Sequence, residues 1–318
     1  MIIDAHGLRK TFTTRGRRGA SRTVEAVRGV DLAVETGEIF GVLGPNGAGK
    51  TTTIRMLATL ISPDAGTATV AGFDLLKEPG RVRGRLGYVS QAGGVEETAT
   101  PRAQITMAAR IHGVARAAEA TAGVLDRFDL AEVADRPART LSGGQKRRVA
   151  IALGLVHSPP LLFLDEPTTG LDPQNRANLW DRIRQLRERG TSVLLSTHYL
   201  DEADALCDRL AIVDHGLIVA HGTPAELKRE VSGDVVTLRV SDPGRAAEAL
   251  KPYARETRVD DDILRVYVDD GEHALPAMLR DLEEHGLGLA SIALDRSTLD
   301  DVFLAKTGRS LRDTGAAA

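Results

Sequence analysis

A glycine-rich run near residue 45 has the residue types and spacing that bind phosphate. It consists of Gly44, Pro45, Asn46, Gly47, Ala48, Gly49, Lys50, Thr51 and Thr52, which match the pattern G-x-x-x-x-G-K-[ST]. The glycines let backbone N–H groups point inward, and Asn46 can hold a tight turn that few other residues tolerate. We expect Lys50, as a surface-facing charge, to reach the β- and γ-phosphates of a nucleotide and Thr51 to ligate Mg²⁺.

A pair of carboxylates follows the apolar run 161–164 and is the second candidate for chemistry. Asp165 can hold Mg²⁺ through water, and Glu166 can accept a proton from an attacking water. An isolated acidic pair after a strand is more commonly a solvated turn. Its position downstream of a phosphate loop favours nucleotide hydrolysis.

These residues need a parallel sheet to bring them together. The run Ile39–Leu43 predicts a buried strand that leads into the phosphate loop, and a helix should begin near Lys50. Further strands, at 161–164, 192–196 and 211–214, alternate with helical segments, which indicates a mostly parallel sheet. Residues 2–38 predict short antiparallel strands, and residues 101–136 predict a helical, alanine-rich region.

The pattern changes after Pro224. Apolar and polar residues alternate around 236–240 and 264–268, and helical spacing appears at 275–282. If residues 256–260 form a strand, the order is β-α-β-β-α-β, which is typical of a ferredoxin-like domain. We therefore predict an α/β protein with a small α+β domain over 225–306, and a disordered tail over 307–318.

Composition narrows the class of protein. The chain has 318 residues and a net charge of −3, which argues against a general nucleic-acid binder. Its one cysteine, Cys207, excludes an internal disulfide and suits a reducing cytosol. The longest apolar run, Val149–Val156, is too short to cross a bilayer, and the N-terminus lacks the order of a signal peptide. We expect a cytosolic protein whose membrane role, if any, depends on a partner.

The most specific motif is Leu141 followed by Ser142, Gly143, Gly144 and Gln145. With a phosphate loop before it and an acidic strand after it, the chain resembles the ATP-binding cassette (ABC) transporter ATPases. Ser142 is a predicted helix N-cap, and the two glycines leave N–H groups open to an anion. The resemblance implies that this signature in one subunit closes over ATP held by the phosphate loop of another.

Four further residues match family motifs, and their roles are those that the resemblance implies. Gln91 corresponds to the glutamine that touches Mg²⁺ and senses the membrane partner. Asp172 would face the opposite subunit, and His198 would contact the γ-phosphate. Phe12 would stack on adenine, although an ordinary strand aromatic is the alternative.

Two segments, Thr197–Ala203 and Leu299–Leu304, resemble the ATPases of bacterial drug exporters of the daunorubicin-resistance type. This resemblance implies an ABC cassette over 1–224, with a mixed sheet core, an antiparallel β subdomain and a helical subdomain. It also implies a homodimer that binds ATP and Mg²⁺, lies peripherally on the cytoplasmic face of a bacterial membrane and drives a separate transmembrane permease. No nucleic-acid partner is expected.

Two other functions share the cassette motifs: a soluble ATPase that acts on ribosomes or DNA, and the ATPase of an importer. The first usually has two cassettes or long coiled coils, which this chain lacks; only the C-terminal resemblance argues against the second. A basic loop from Arg15 to Arg22 is either a solvated turn or a contact with anionic lipid or the permease.

Overall fold

A computed structural model describes residues 1–15, 21–231 and 233–311. The chain divides into two compact units, Met1–His221 and Gly222–Ala318. Apart from the strand ends that flank it, the predicted basic loop lies outside the described residues.

The secondary structure of the first unit alternates between strands and helices. Its strands are β1 (Ile3–Arg15), β2 (Ser21–Val34), β3 (Ile39–Leu43), β4 (Ala65–Val70), β5 (Phe73–Asp74), β6 (Leu86–Val89), β7 (Leu161–Asp165), β8 (Ser192–Thr197), β9 (Arg209–Asp214) and β10 (Leu217–Gly222). Its helices are α1 (Lys50–Leu57), α2 (Pro79–Arg83), α3 (Pro101–Ile111), α4 (Ala117–Arg127), α5 (Gly143–Leu155), α6 (Pro173–Glu188) and α7 (Leu200–Leu206).

An antiparallel sheet with the strand order β2-β1-β4-β5 contains the N-terminal residues. The sequence predicts short strands before residue 38, whereas β1 and β2 are long strands of 13 and 14 residues. Register shifts interrupt their pairing between Ala5 and Thr11. These bulges bend the hairpin without ending it, which explains why the sequence pattern looks like several shorter strands.

The main sheet has the order β10-β9-β3-β8-β7-β6, and the pairs from β9 to β6 are parallel. This confirms the predicted parallel core. Strands β3, β7 and β8 are buried at every residue, as expected for strands covered on both faces. The main hydrophobic cluster joins this sheet to the antiparallel sheet and to α1, through residues such as Leu8, Phe40, Ile54 and Phe163.

Four neighbouring strands of this sheet end at the candidate residues. The phosphate loop follows β3, His198 follows β8, Glu166 follows β7, and Gln91 lies two residues beyond β6. Because these strands are parallel and adjacent, their carboxyl ends meet at one edge, where open α/β sheets bind ligands. The fold therefore brings together residues that are up to about 150 positions apart in the chain.

The second unit is an α+β domain with the predicted order of elements. Its helices are α8 (Pro224–Val231), α9 (Pro243–Leu250), α10 (Gly271–Glu284) and α11 (Leu299–Thr307), and its strands are β11 (Asp234–Val240), β12 (Glu256–Asp260), β13 (Ile263–Val268) and β14 (Leu289–Asp295). The sheet order β12-β13-β11-β14 has only antiparallel neighbours, which is the ferredoxin-like arrangement. Apolar residues of β11 and β13 pack with α9 and α10 to form its core.

Part of the predicted disordered tail is ordered. The side chain of Asp300 accepts hydrogen bonds from the Leu311 backbone N–H, at 2.9 Å, and from the Ser310 hydroxyl. Leu311 is buried, so the apolar side chain and the carboxylate together hold residues 308–311 against the start of α11. Residues 312–318 lie outside the described part of the chain.

Candidate nucleotide-binding and hydrolysis site

The phosphate loop joins β3 to α1 through two glycines with positive φ. Gly47 has φ 80° and Gly49 has φ 105°, a region that L-residues rarely adopt. A Cβ atom at Gly49 would also overlap the carbonyl oxygen of Ala26. The sequence prediction assigned the special turn conformation to Asn46, but Asn46 is not among the residues with positive φ. Glycine takes that role because it has no Cβ to clash.

Lys50 is buried rather than surface-facing, because its side chain folds back over the loop. The Nζ atom donates to the carbonyl oxygens of Gly44, at 2.8 Å, and Pro45, at 3.0 Å. It also lies 3.4 Å from Glu166 Oε1. Burial lowers the pKa of Lys50, and the neighbouring Glu166 charge opposes this effect. The expectation of an exposed lysine is therefore wrong for this structure.

Asp165 lies at the end of β7 with no solvent exposure. Its Oδ1 atom accepts hydrogen bonds from Thr51 Oγ1 at 2.9 Å and Ser196 Oγ at 2.6 Å. Its Oδ2 atom is buried and has no hydrogen-bond partner within the described residues. An unpartnered buried carboxylate oxygen is costly, and it is the position where a cation or its bound water would be stabilised.

The carboxylate of Glu166 lies close to several of the other predicted residues. Its Oε2 atom accepts hydrogen bonds from Gln91 Nε2 at 2.9 Å and Thr169 Oγ1 at 3.2 Å, and lies 3.3 Å from His198 Nδ1. Burial alone would raise the pKa of Glu166. The adjacent His198 ring and the charge of Lys50 outweigh this effect and lower the pKa to about 2. The carboxylate is thus charged and surrounded by donors.

A pocket of about 480 Å³ lies over these residues. Phe12 and Ala26 line one part of it, the phosphate loop lines another, and Gln91 and Glu166 complete it. Phe12 is 40% exposed and lines the pocket, so part of its ring can receive a flat partner, although Lys10 Nζ lies over the ring at 5.8 Å from its centroid. The pocket brings Phe12 together with the phosphate loop, as the predicted roles require.

The signature residues lie elsewhere. Ser142 and Gln145 form a capping box at the start of α5: each side chain bonds the other residue's backbone N–H, at 3.2 and 2.9 Å. Ser142 and Gly143 are exposed, and the described lining of the pocket includes neither. The predicted N-cap is confirmed, but the chain does not bring its own signature to its own phosphate loop.

Asp172 belongs with the signature rather than with the pocket. It caps α6 by accepting from the backbone N–H of Asn175 at 2.8 Å. Asn175 in turn packs on Gly144, where an added Cβ would meet its Oδ1 atom at 2.7 Å. Ser142, Gly144 and Asp172 therefore form a second cluster, which joins the start of α5 to the start of α6.

Three residues that hold Asp165 and Glu166, whose carboxylates form the first cluster, were not predicted from the sequence. Ser196 bonds Asp165, Thr169 bonds Glu166, and Arg147 binds carbonyl oxygens beside both. Arg147 had a visible signal, because it lies on the buried stripe 144, 147, 151 and 155 of α5. A charged residue in an otherwise apolar or glycine stripe indicates a buried polar contact.

Comparison with known proteins agrees with this geometry. The sequence profile described as "ABC transporter" matches residues 27–169, and the one described as "ATP-binding protein DrrA1-3-like, C-terminal domain" matches residues 222–307. A solved ATP-binding subunit of an ABC transporter is 28% identical, with a TM-score of 0.63 over 72% of this chain and 93% of its own. A dimeric cassette bound to ADP and phosphate has the same TM-score at 23% identity, over 70% of this chain and 98% of its own, and supports the fold alone.

The fold and the site define an ABC-type ATPase: the chain belongs to the ATP-binding subunits of ABC transporters of the drug-resistance type. It is 46% identical to the daunorubicin/doxorubicin resistance ATP-binding protein DrrA of Streptomyces peucetius, over 98% of this chain and 94% of that protein. It is 37% identical to the Nod factor export ATP-binding protein I of Ralstonia nicotianae, over 98% and 95%. No helix among the described residues is long and apolar enough to cross a bilayer.

Proposed function

We propose that two copies of this chain close over two ATP molecules and drive export of a drug, antibiotic or amphipathic lipid through a separate permease. The observation that carries the proposal is the convergence of Lys50, Gln91 and His198 on Glu166, beside a pocket that a phosphate loop lines. The names of the relatives, which refer to drug resistance and to export, support the direction of transport.

In the proposed site, Phe12 stacks on adenine while the loop N–H groups and the N-terminus of α1 bind the phosphates. Phosphate oxygens would compete with Glu166 for Lys50, because both are anions and Lys50 Nζ is 3.4 Å from Glu166 Oε1. Since the charge of Lys50 lowers the pKa of Glu166, nucleotide binding would raise that pKa. ATP would thereby turn a weak base into a better one.

Hydrolysis then depends on donors around one carboxylate. Glu166 would take the proton of the attacking water, while Gln91 and Thr169 orient its Oε2 atom. His198 lies on the same side and would contact the γ-phosphate. These groups contribute mainly by positioning and by charge, as in other phosphoryl-transfer sites.

The donor set also fits Mg²⁺, which we propose as the metal of the site. Mg²⁺ keeps several waters and uses one or two carboxylates together with phosphate oxygens. Thr51 and Asp165 supply adjacent oxygens, and Asp165 Oδ2 has no other partner in the described chain. Within residues 1–15, 21–231 and 233–311, no cluster of three His, Cys, Asp or Glu side chains offers a complete protein cage. Gln91, the third predicted ligand, bonds Glu166 here through its amide nitrogen.

The separation of the two clusters supports the proposed dimer. The exposed Ser142 and Gly143 at the start of α5 present N–H groups that are suited to a γ-phosphate, but they do not reach the chain's own pocket. A second copy would supply them in trans, and Asp172 would lie at the same interface. Closure would pull on the permease at the cytoplasmic face of the membrane, and hydrolysis would reset it.

For the second unit, over 225–306, we propose a dimer-stabilising or regulatory role rather than a catalytic one. Its described core contains apolar side chains, and Ser297 is its one buried polar residue among those described. A chain shortened after His221 should keep ATP binding but lose part of its dimerisation or its transport. Normal dimerisation and full transport by the shortened chain would contradict this role.

Transport in vesicles tests the proposed function. The full chain is purified with the membrane protein that co-elutes with it, and the complex is reconstituted with ATP inside or outside the vesicles. We expect ATP-driven movement of drugs or lipids from the side of this chain to the opposite side. Movement towards this chain would favour the importer, and the absence of a co-eluting membrane protein would favour a soluble ATPase.

A further inference from the structure

The guanidinium of Arg147 is buried among backbone carbonyl groups of two turns, one at residues 90–91 and one at residues 165–167. Its Nε atom donates to Pro167 O at 2.7 Å, and its Nη2 atom donates to Asp165 O at 3.1 Å. Its Nη1 atom donates to Ser90 O at 2.7 Å and, more weakly, to Gln91 O at 3.4 Å. The residue is 8% exposed, so water contributes little to its solvation.

Three of the four acceptors are next to Gln91 or Glu166 in the chain, and the fourth is the carbonyl oxygen of Gln91 itself. Ser90 precedes Gln91, and Asp165 and Pro167 lie on either side of Glu166. The Gln91 Nε2 to Glu166 Oε2 hydrogen bond, at 2.9 Å, spans the same two turns. One guanidinium therefore bonds the backbone segments that carry the Gln91 and Glu166 side chains.

Glu166 needs such support because of its backbone. Its φ of 46° lies in the left-handed region, which is strained for a residue with a Cβ. Arginine suits this task because its N–H groups form a rigid planar fork, whereas a lysine ammonium is a mobile point donor. Within the described chain no carboxylate forms a direct ion pair with Arg147; its N–H groups bond carbonyl oxygens, and the nearby charges of Asp165 and Glu202 favour its charged form.

The guanidinium also connects the two clusters. Arg147 lies on α5, five residues after Ser142, which caps that helix. A shift of α5 would therefore move the donors that hold the turns of Gln91 and Glu166. The adjacent Arg148 differs: its side chain is 23% exposed and lies 3.8 Å from the Asp129 carboxylate.

We propose that Arg147 is a positioning residue that sets the alignment of Gln91 with Glu166 and ties it to the helix that begins at Ser142. The proposal rests on the proposed role of Glu166 as the base. Loss of the fork leaves the phosphate loop and the Phe12 pocket intact, so ATP still binds. The hydrolytic step loses its alignment, because small displacements of catalytic groups have large effects on rate.

The test compares Arg147→Lys with Arg148→Lys, the same chemical change one residue further along α5. In Arg147→Lys we expect kcat for ATP hydrolysis to fall on the order of 10–100-fold, with an unchanged dissociation constant for ATP. In Arg148→Lys we expect both quantities to stay near those of the unmodified chain. Thermal unfolding of each variant shows whether it is folded. If Arg147→Lys does not fold, Arg147→Met replaces it, because a neutral side chain leaves no buried charge unpaired.

A double-mutant cycle with Gln91→Ala separates positioning from general structural support. If Arg147 acts through the Gln91–Glu166 alignment, Gln91→Ala should cost much less in the Arg147→Lys chain than in the unmodified one. Effects that multiply, or an Arg147→Lys kcat equal to that of Arg148→Lys, would overturn the proposal. Glu166→Gln tests the role of Glu166 separately. If this variant still hydrolyses ATP at the normal rate, Glu166 is not the base, a result that the double-mutant cycle alone would not reveal.

Discussion

The two units of the chain bury very different side chains. In Met1–His221 the described interior contains charged residues, among them Lys50, Arg147, Asp165, Glu166 and Glu202. In Gly222–Ala318 the described interior is apolar apart from Ser297. Burying a charge is costly unless it is paired, so a protein retains several at one sheet edge where they have a function. This difference supports the proposal that the chemistry lies in the first unit and that the second unit has a non-catalytic role.

The largest expected effect is the loss of ATP binding and hydrolysis in the first unit while that unit stays folded. In Lys50→Ala, nucleotide binding should be lost and hydrolysis should fall by at least about 10²–10³-fold, because Lys50 is the one lysine or arginine in the described lining of the pocket. Binding of a fluorescent ATP analogue and phosphate release measure these effects. Only a modest fall in Tm is expected.

Lys77→Ala is the matched control, since the Lys77 side chain is 83% exposed and its ammonium lies 3.5 Å from Asp74. It should leave binding and hydrolysis unchanged. A Lys50→Ala chain that binds MgATP with normal affinity would show that the phosphate-loop assignment is wrong.

A pair of core substitutions tests the division of roles. Leu264 in β13 and Leu162 in β7 are both completely buried. Either change to alanine should cost about 2–5 kcal/mol of unfolding free energy in its own unit, from lost contacts and a cavity. Leu162→Ala should also lower kcat, because β7 ends at Asp165 and Glu166. Leu264→Ala should leave kcat and KM for ATP within about twofold.

Thermal unfolding and steady-state kinetics on the two variants provide the comparison. If Leu264→Ala lowers kcat as much as Leu162→Ala does, the second unit takes part in the chemistry, and the proposed division fails.

The smallest effect concerns a histidine pair in the first unit. The ring of His157 stacks on that of His112 at 3.8 Å, and its Nε2 atom lies 3.1 Å from Leu86 O. Burial and the neighbouring His112 lower the pKa of His157 to about 4. Between the ordinary histidine pKa and 4, the unfolded chain binds a proton that the folded chain does not, so stability falls as the pH falls.

Replacing His157 by Gln removes this contribution of His157 to the pH dependence of stability. The loss of stability between pH 7.5 and 5.5 should then be smaller by roughly 1 kcal/mol, or about 2–4 °C in the shift of Tm. Denaturation curves at both pH values measure it. An equal pH dependence in the two chains would show that His157 titrates normally.

Short local patterns were sufficient to predict much of the molecule. The phosphate loop, the acidic pair and the helix N-cap at Ser142 follow from residue types at fixed spacing, and alternation over 236–240 and 264–268 predicted two strands of the ferredoxin-like sheet. Long-range packing was not predictable in the same way. The bulged pairing of β1 with β2, the burial of Lys50 and the contacts of Arg147 each depend on atoms that are distant in the chain or on how a flexible side chain folds.

The central claim, that two chains close over ATP, is tested most directly by Glu166→Gln. This change keeps the shape of the side chain but removes the base, so hydrolysis should nearly stop while ATP still binds. With MgATP, size exclusion with light scattering should show a stable species of twice the chain mass. Adding Ser142→Arg, which places bulk at the signature, should abolish that dimer while each chain still binds ATP. A Glu166→Gln chain that stays monomeric with MgATP, even with its permease, or a dimer that Ser142→Arg does not affect, would contradict the account.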